Sequence, residues 1–175
     1  MRHNTHMVFS LFMLVGIYEL FPILNRYDPF VYALILALFG SVFPDIDHPR
    51  SLISRGYWSV LSTAIRKTTG HRGWTHSLFG AGLFTGILLL ILWYFKASLF
   101  LALGFFLGYI SHLISDSLNP TGVNWFWPKK KRYGIGLIRT GSKAEYIFAT
   151  ILALAVAGLF YYDFTFRGGS LFKFK

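Results

Sequence analysis

Five apolar segments constrain the fold of this 175-residue chain more than any other feature of its sequence. They cover residues 8–24, 30–44, 77–95, 98–118 and 145–162. A helix needs about 20 residues to cross ~30 Å of hydrocarbon, and the last three segments meet that length. The second segment is shorter and also suits a partly buried core helix, and the first is interrupted by Glu19. The pattern predicts an all-α polytopic membrane protein, a single integral-membrane domain over residues 1–175 with about five transmembrane helices.

The composition supports a membrane protein and excludes several other classes. Hydrophobic residues make up 54% of the chain and charged residues 14%, whereas soluble domains have about 25% charged residues. A chain this apolar is not intrinsically disordered. Cysteine is absent, which excludes disulfide scaffolds, thiolate metal sites and cysteine nucleophiles.

The positive charges are distributed unevenly between the two sides of the predicted membrane helices. The chain has 17 Lys and Arg residues against 7 acidic residues. Of these, 12 lie at the N-terminus and in the long connections 45–76 and 119–144, and 5 lie on the other side. The positive-inside rule therefore places the N-terminus and both long loops in the cytoplasm, and the C-terminus outside. Because membrane sidedness accounts for the basic residues, including the run at 129–132, we expect contact with lipid headgroups and no nucleic-acid partner. Residues 52–65 of the first long loop predict a short surface helix.

Histidines and acidic residues gather at the segment ends that this topology places in the cytoplasm. They are His6 at the start of the first segment, Asp45, Asp47 and His48 after the second, His71 and His76 before the third, His112 and Asp116 at the end of the fourth, and Glu145 at the start of the fifth. An ionisable group at membrane depth costs roughly 2.5–3.5 kcal/mol unless it is paired or functional. Imidazoles and carboxylates without thiolates suit Zn²⁺, Mn²⁺ or Fe. The convergence predicts a metal centre at the cytoplasmic ends of the helices.

Most of these motifs also have a plainer structural interpretation. His112 and Asp116 are four residues apart and lie on one helix face. They are either two metal ligands or a simple intrahelical pair. The turn at 45–48 is flanked by prolines, and its side chains either bind metal or end a helix with an Asx-turn. His71 and His76 can serve one site only if the first lies in the loop and the second on the first helical turn, and otherwise they are side chains that reach the membrane interface.

Hydroxyl and carboxyl side chains near the same segment ends leave further alternatives open. Either Thr75 or Ser77 is expected to cap the helix that follows. Glu145 lies three residues after Ser142, which fits a capping box as well as metal ligation. Glu19 fits either a buried hydrogen bond or a side chain that reaches the membrane surface.

Taken together, the motifs resemble those of a known family. The motifs are Thr5-His6, Pro44-Asp45-Ile46-Asp47-His48, His71-Arg72-Gly73-x-Thr75-His76-Ser77, Gly108-x-x-Ser111-His112-x-x-x-Asp116, Asn119-Pro120-x-Gly122, Trp127-Pro128 and Gly141-Ser142 with Glu145. Their order and spacing, over positions 5 to 145, are similar to the LexA-regulated, membrane-bound metal-dependent hydrolase family (YdjM-like). The resemblance implies a multi-pass protein of a prokaryotic cytoplasmic membrane with a metal site of His and Asp.

The hypothesis that follows is a hydrolase that uses one or two divalent ions, Zn²⁺ or Mn²⁺, to activate water. The candidate metal ligands are His6, Asp47, His48, His71, His76, His112 and Asp116. The candidate catalytic residues are Asp45 and Glu145, which would transfer protons, and Arg72 and Arg139, which would hold a phosphate. A site at headgroup depth suits a phosphoester of a membrane lipid or lipid-linked molecule. The alternative is a non-catalytic metal-binding protein, with a structural metal site or a transport function.

Overall fold

The computed structural model describes residues 1–24, 30–48, 51, 53–54, 59–69 and 73–172, and within these ranges it is helical with no β-strand. The α-helices are α1 (His3–Leu20), α2 (Phe30–Val42), α3 (Ser59–Thr69), α4 (Leu78–Tyr94), α5 (Leu101–Ser117) and α6 (Lys143–Phe166). Short 3₁₀ turns cover Phe43–Asp47, Trp74–His76 and Ser170–Phe172. The predicted all-α class is confirmed.

Each apolar segment corresponds to one helix, with shifts at the ends. Helix α1 begins at His3 rather than at residue 8. Its first turn is polar, so hydropathy does not detect it, but the turn forms backbone hydrogen bonds. The first of these bonds joins the His6 amide to the Arg2 carbonyl oxygen at 3.2 Å. The predicted surface helix at 52–65 is found as α3, which begins at Ser59 and ends at Thr69. Residues 52 and 55–58 of that prediction lie outside the described residues.

Two stretches of the described chain are long and apolar enough to cross a membrane: Phe30–Asp47, which combines α2 with the 3₁₀ turn after it, and Lys143–Phe166. Half of the first is buried inside the protein, which fits the expectation that this segment also has the character of a core helix. Helices α4 and α5 are apolar but only 17 residues long. The count of five spans therefore stays a prediction.

Small residues bring the backbones of α2 and α5 into direct contact. A Cβ atom built on Gly104 would lie 2.6 Å from the Ala33 carbonyl oxygen, and one built on Gly108 would lie 2.0 Å from the Ala37 carbonyl oxygen. Such small-xxx-small pairs allow close helix packing in membranes. One turn further along, His112 contacts the carbonyl oxygen of Ser41. The helices therefore run parallel, and their ends lie side by side.

Polar contacts at both ends of the helix bundle fix the positions of α1 and α6. The Arg2 amide donates a hydrogen bond to Glu145 Oε1 at 2.6 Å, so the two helices begin at the same end. At the opposite end, Arg167 Nη1 forms an ion pair with Glu19 Oε2 at 2.7 Å. The structure thus gives Glu19 a charged partner. One end of the bundle collects the starts of α1, α4 and α6 and the ends of α2 and α5.

Candidate metal centre

Six of the predicted residues meet at this end of the bundle, and we call them the His/Asp cluster. They are His6 from α1, Asp45 and Asp47 from the turn after α2, His76 from the turn before α4, and His112 and Asp116 from α5. Their nitrogen and oxygen atoms form groups of three in which all ligand atoms lie within 4.8 Å of one another. The fold therefore brings together six of the His and Asp residues that the sequence placed at the same end of the helices.

The Nδ1 atom of each histidine contacts a neighbouring group, which leaves Nε2 facing the cluster. His112 Nδ1 lies 2.7 Å from the carbonyl oxygen of Ser41, which only accepts hydrogen bonds, so Nδ1 holds the proton. His6 Nδ1 lies 2.6 Å from Ser115 Oγ, and that hydroxyl donates to the His112 carbonyl, so it accepts from His6. His76 Nδ1 lies 3.3 Å from Asp47 Oδ2. Fixing one ring nitrogen in this way is typical of histidines that bind metal through the other.

The two remaining carboxylates lie among the Nε2 atoms. Asp45 Oδ1 is 3.4 Å from His76 Nε2 and 3.9 Å from His112 Nε2. Asp116 Oδ1 is 3.4 Å from His6 Nε2, and its Oδ2 is 3.9 Å from His112 Nε2. The amino group of Met1 also pairs with Asp116 Oδ1.

The spacing of these atoms fits a divalent ion. His76 Nε2 and His112 Nε2 are 3.3 Å apart, and with Asp45 Oδ1 they form a triangle whose other sides are 3.4 and 3.9 Å. The circle through three such points has a radius of about 2.1 Å, which matches Zn–N and Zn–O distances of about 2.0–2.2 Å. The donors are all nitrogen and oxygen, as expected for Zn²⁺ or Mn²⁺.

Burial sets the electrostatics of the cluster. His6, Asp47, His76, His112 and Asp116 are 0 or 1% exposed, whereas the side chain of Asp45 is 23% exposed. Burial lowers the pKa of His76, but hydrogen bonds with Asp45 and Asp47 outweigh it and raise the pKa to about 9. A metal-free cluster therefore holds a proton on His76 at neutral pH. Asp45 is therefore the most exposed member of the cluster.

A second layer of hydrogen bonds holds His76 and Asp47 in place. Thr75 Oγ1 donates to Asp47 Oδ2 at 2.7 Å, and the Tyr109 hydroxyl donates to the Thr75 carbonyl oxygen. Ser77 Oγ accepts from the Gly80 amide at 3.2 Å and caps α4, which confirms that one of the two candidate hydroxyls is the helix cap. Sequence reasoning missed the role of Thr75; its position beside His76 was the available signal.

Several predicted site residues do not join the described His/Asp groups. Both Glu145 oxygens accept backbone hydrogen bonds, from the Arg2 and Gly141 amides at 2.6 Å each, and its own amide contacts the capping hydroxyl of Ser142. Arg139 is exposed in the connection before α6, and the groups of three do not include His48. Two predicted site residues lie outside the described residues. They are His71, a predicted metal ligand, and Arg72, the residue predicted to hold a phosphate.

A family model and a similar protein identify the family of this chain. The family model described as YdjM inner membrane protein matches residues 1–170. The inner membrane protein YdjM of Escherichia coli (strain K12) is 34% identical to this chain over 124 residues. The match covers 69% of this chain and 61% of the relative, so the chain spans about three fifths of that protein. YvsG of Bacillus subtilis (strain 168) is 32% identical over 143 residues, 81% of this chain and 84% of the relative. No solved structure gives a significant match. Regulation by LexA stays a prediction.

Proposed function

This chain belongs to the YdjM family of bacterial inner membrane proteins, and from that premise we propose that it is a metal-dependent hydrolase. The observation that supports the proposal is the triangle of His76 Nε2, His112 Nε2 and Asp45 Oδ1. It joins two buried imidazoles to a partly exposed carboxylate, so donors suited to a divalent ion lie next to solvent. Two further carboxylates, Asp47 and Asp116, lie beside it, so the cluster has more donors than a closed four-ligand structural site needs.

The carboxylates Asp45 and Asp47 have different roles in the proposed reaction. A divalent ion, when bound, supplies Lewis acidity that lowers the pKa of water and polarises the bond to be cleaved. Asp45 is the exposed member, so the substrate approaches past it, and its second oxygen is available to accept a proton from water. Asp47 acts on the other side of His76, where it orients the ring, and Thr75 in turn holds Asp47.

We assign a lipid or lipid-linked phosphoester as the substrate class because of what surrounds this end of the bundle. A cavity of about 500 Å³ lies against the last turn of α5, and Arg132, Trp125 and Tyr133 line it together with apolar side chains. Trp125 is held by a hydrogen bond from its Nε1 to Ser117 Oγ at 2.8 Å. A cation, aromatic rings and an apolar wall suit an anionic headgroup with its acyl chain. Arg139 lies at the same end, where the neighbouring Ile138 amide bonds to the Leu118 carbonyl.

The proposed membrane arrangement has five spans, formed by α1, α2, α4, α5 and α6, with the cluster on the cytoplasmic side. The support is the excess of Lys and Arg in the two long connections at the cluster end. Reporter fusions after residues 24 and 96 should read as periplasmic, and fusions in 129–143 as cytoplasmic. The opposite pattern would overturn the orientation.

A structural metal site is the second candidate, and the burial of five cluster residues favours it. Such a site would be closed, with every coordination position taken by the protein. It predicts that metal removal lowers thermal stability and that the metal-loaded protein releases no product.

The experiment compares lipid hydrolysis with metal content in purified full-length protein. Metal-loaded protein is incubated with an extract of bacterial lipids, and released phosphate and phosphorylated headgroups are measured. We expect release by the wild-type protein, and lower metal content together with loss of release in both His76→Gln and Asp45→Asn. His3→Gln, an exposed histidine on the same helix as His6, is the matched control. A wild-type protein that keeps its metal and releases no phosphate would favour the structural site.

A further inference from the structure

The rings of His6 and His112 are stacked, which limits how they can bind metal. Their centroids are 3.9 Å apart and their planes are tilted by only 17°. An imidazole binds an ion along the nitrogen lone pair, which lies in the plane of the ring. Two planes with this separation and tilt meet on the order of 10 Å away, whereas a metal–nitrogen bond is about 2 Å long. Binding one ion through both rings would therefore require at least one of them to turn.

The geometry points to a second metal position, separate from the triangle of His76, His112 and Asp45. It is formed by His6 Nε2 and Asp116 Oδ1, which are 3.4 Å apart, with Asp45 close enough to both histidines to complete the donor set. This inference rests on the metal binding that the proposed function includes and extends it to a centre of two ions.

Asp116 is placed to connect the two positions. Its Oδ1 faces His6 Nε2 and its Oδ2 faces His112 Nε2, so each oxygen of one carboxylate lies towards a different histidine. Ions bound along the lone pairs of two such rings would be separated by roughly the ring spacing of 3.9 Å, close to the ~3.5–4 Å between the ions of two-metal sites. One carboxylate and one pair of stacked rings thus give the spacing that such a centre needs.

The second position also accounts for a buried nitrogen without a hydrogen-bond partner. His6 is 1% exposed, its Nδ1 contacts Ser115, and its Nε2 has no hydrogen-bond partner among the residues that the structure describes. Leaving a buried polar atom unsatisfied is unfavourable, and here a nitrogen lone pair faces a carboxylate oxygen. A cation between the two atoms would remove this cost.

Two ions would suit the proposed substrate class better than one. In two-metal sites the ions stabilise both the attacking and the leaving oxygen of a phosphoester. His6 would then bind the second ion rather than stabilise the helix bundle, and this difference can be measured without an activity assay.

The experiment measures the number of ions in the purified, detergent-solubilised full chain after equilibration with Mn²⁺ alone. We expect two Mn²⁺ per chain and the electron paramagnetic resonance spectrum of an exchange-coupled pair. His6→Gln should bind one Mn²⁺ with the spectrum of an isolated ion, and His3→Gln should behave as the wild type. Circular dichroism and gel filtration of each variant show whether it is folded, and the wild-type spectrum tests the inference without any variant.

The outcomes separate this inference from the proposed function. One ion per chain in the wild type, or two ions without coupling, would overturn the second position even if the protein hydrolyses lipids. Two coupled ions in a protein without hydrolase activity would support the second position and refute the hydrolase. A wild-type chain that binds no ion would refute both.

Discussion

The affinity of the His/Asp cluster for Zn²⁺ should increase with pH up to about pH 9. Hydrogen bonds with Asp45 and Asp47 outweigh burial and raise the pKa of His76 to about 9, so the metal-free protein holds a proton on this ring at neutral pH. Zn²⁺ can bind His76 Nε2 only after that proton leaves. Because the raised pKa stabilises the protonated, metal-free state, the affinity falls as the pH drops below 9.

The size of the effect follows from the pKa of His76. Each pH unit below the pKa costs about 1.36 kcal/mol, which is a tenfold loss of affinity. At pH 7 the cost is therefore about 2.7 kcal/mol, or roughly a hundredfold in affinity. A histidine with the ordinary pKa of about 6.5 would show almost no loss at pH 7.

The assay is a Zn²⁺ titration against a competing chelator between pH 6.5 and 9.5. The wild type should gain about tenfold per pH unit and reach a plateau near pH 9. In Asp47→Asn the plateau should begin at a lower pH, because the ring loses one of the groups that raise its pKa. Calorimetry near pH 7 in buffers of different ionisation enthalpy should detect a released proton. A flat profile above pH 7 in the wild type would refute the proposed protonation of His76.

Two further predictions concern packing and the second layer of the site. Gly108→Ala should lower the free energy of unfolding by about 1–3 kcal/mol, because the new Cβ would meet the Ala37 carbonyl oxygen. Gly86→Ala is the control and should cause no such loss, because a Cβ at that position has nothing within 4 Å. Thermal unfolding in detergent compares the two variants, and an equal loss of stability in both would contradict the close contact. Thr75→Val should weaken Zn²⁺ binding about tenfold, because it removes the 2.7 Å hydrogen bond from Thr75 to Asp47. Thr75→Ser keeps the hydroxyl and should bind Zn²⁺ as the wild type does. Chelator competition at pH 8 measures both affinities, and equal values would exclude this role for Thr75.

The helices and the convergence of the cluster were predictable because both follow from where apolar segments stop. A chain that alternates between two sides of a bundle brings every second segment end together, so His6, Asp45, His76 and Asp116 had to lie at one end if the segments were helices. Hydropathy and charge give this arrangement without knowledge of side-chain contacts.

The roles of individual residues were not predictable, because they depend on the register between helices. The contact of Gly108 with Ala37 fixes how far α5 is shifted along α2, and this shift brings the His112 ring to the Ser41 carbonyl. A shift of one turn would leave the residue types unchanged and give His112 another partner. In the same way, the sequence could not show that Glu145 uses both oxygens for backbone amides.

The close packing of α2 against α5 also has a consequence for how the protein is made. The residues before and within α2 leave the ribosome long before α5 is synthesised, yet the cluster needs His112 and Asp116 from the last turns of α5. A nascent chain therefore has no complete cluster until α5 has been synthesised and has packed against α2. An ion held by residues of all these helices could bind only after the helices have assembled.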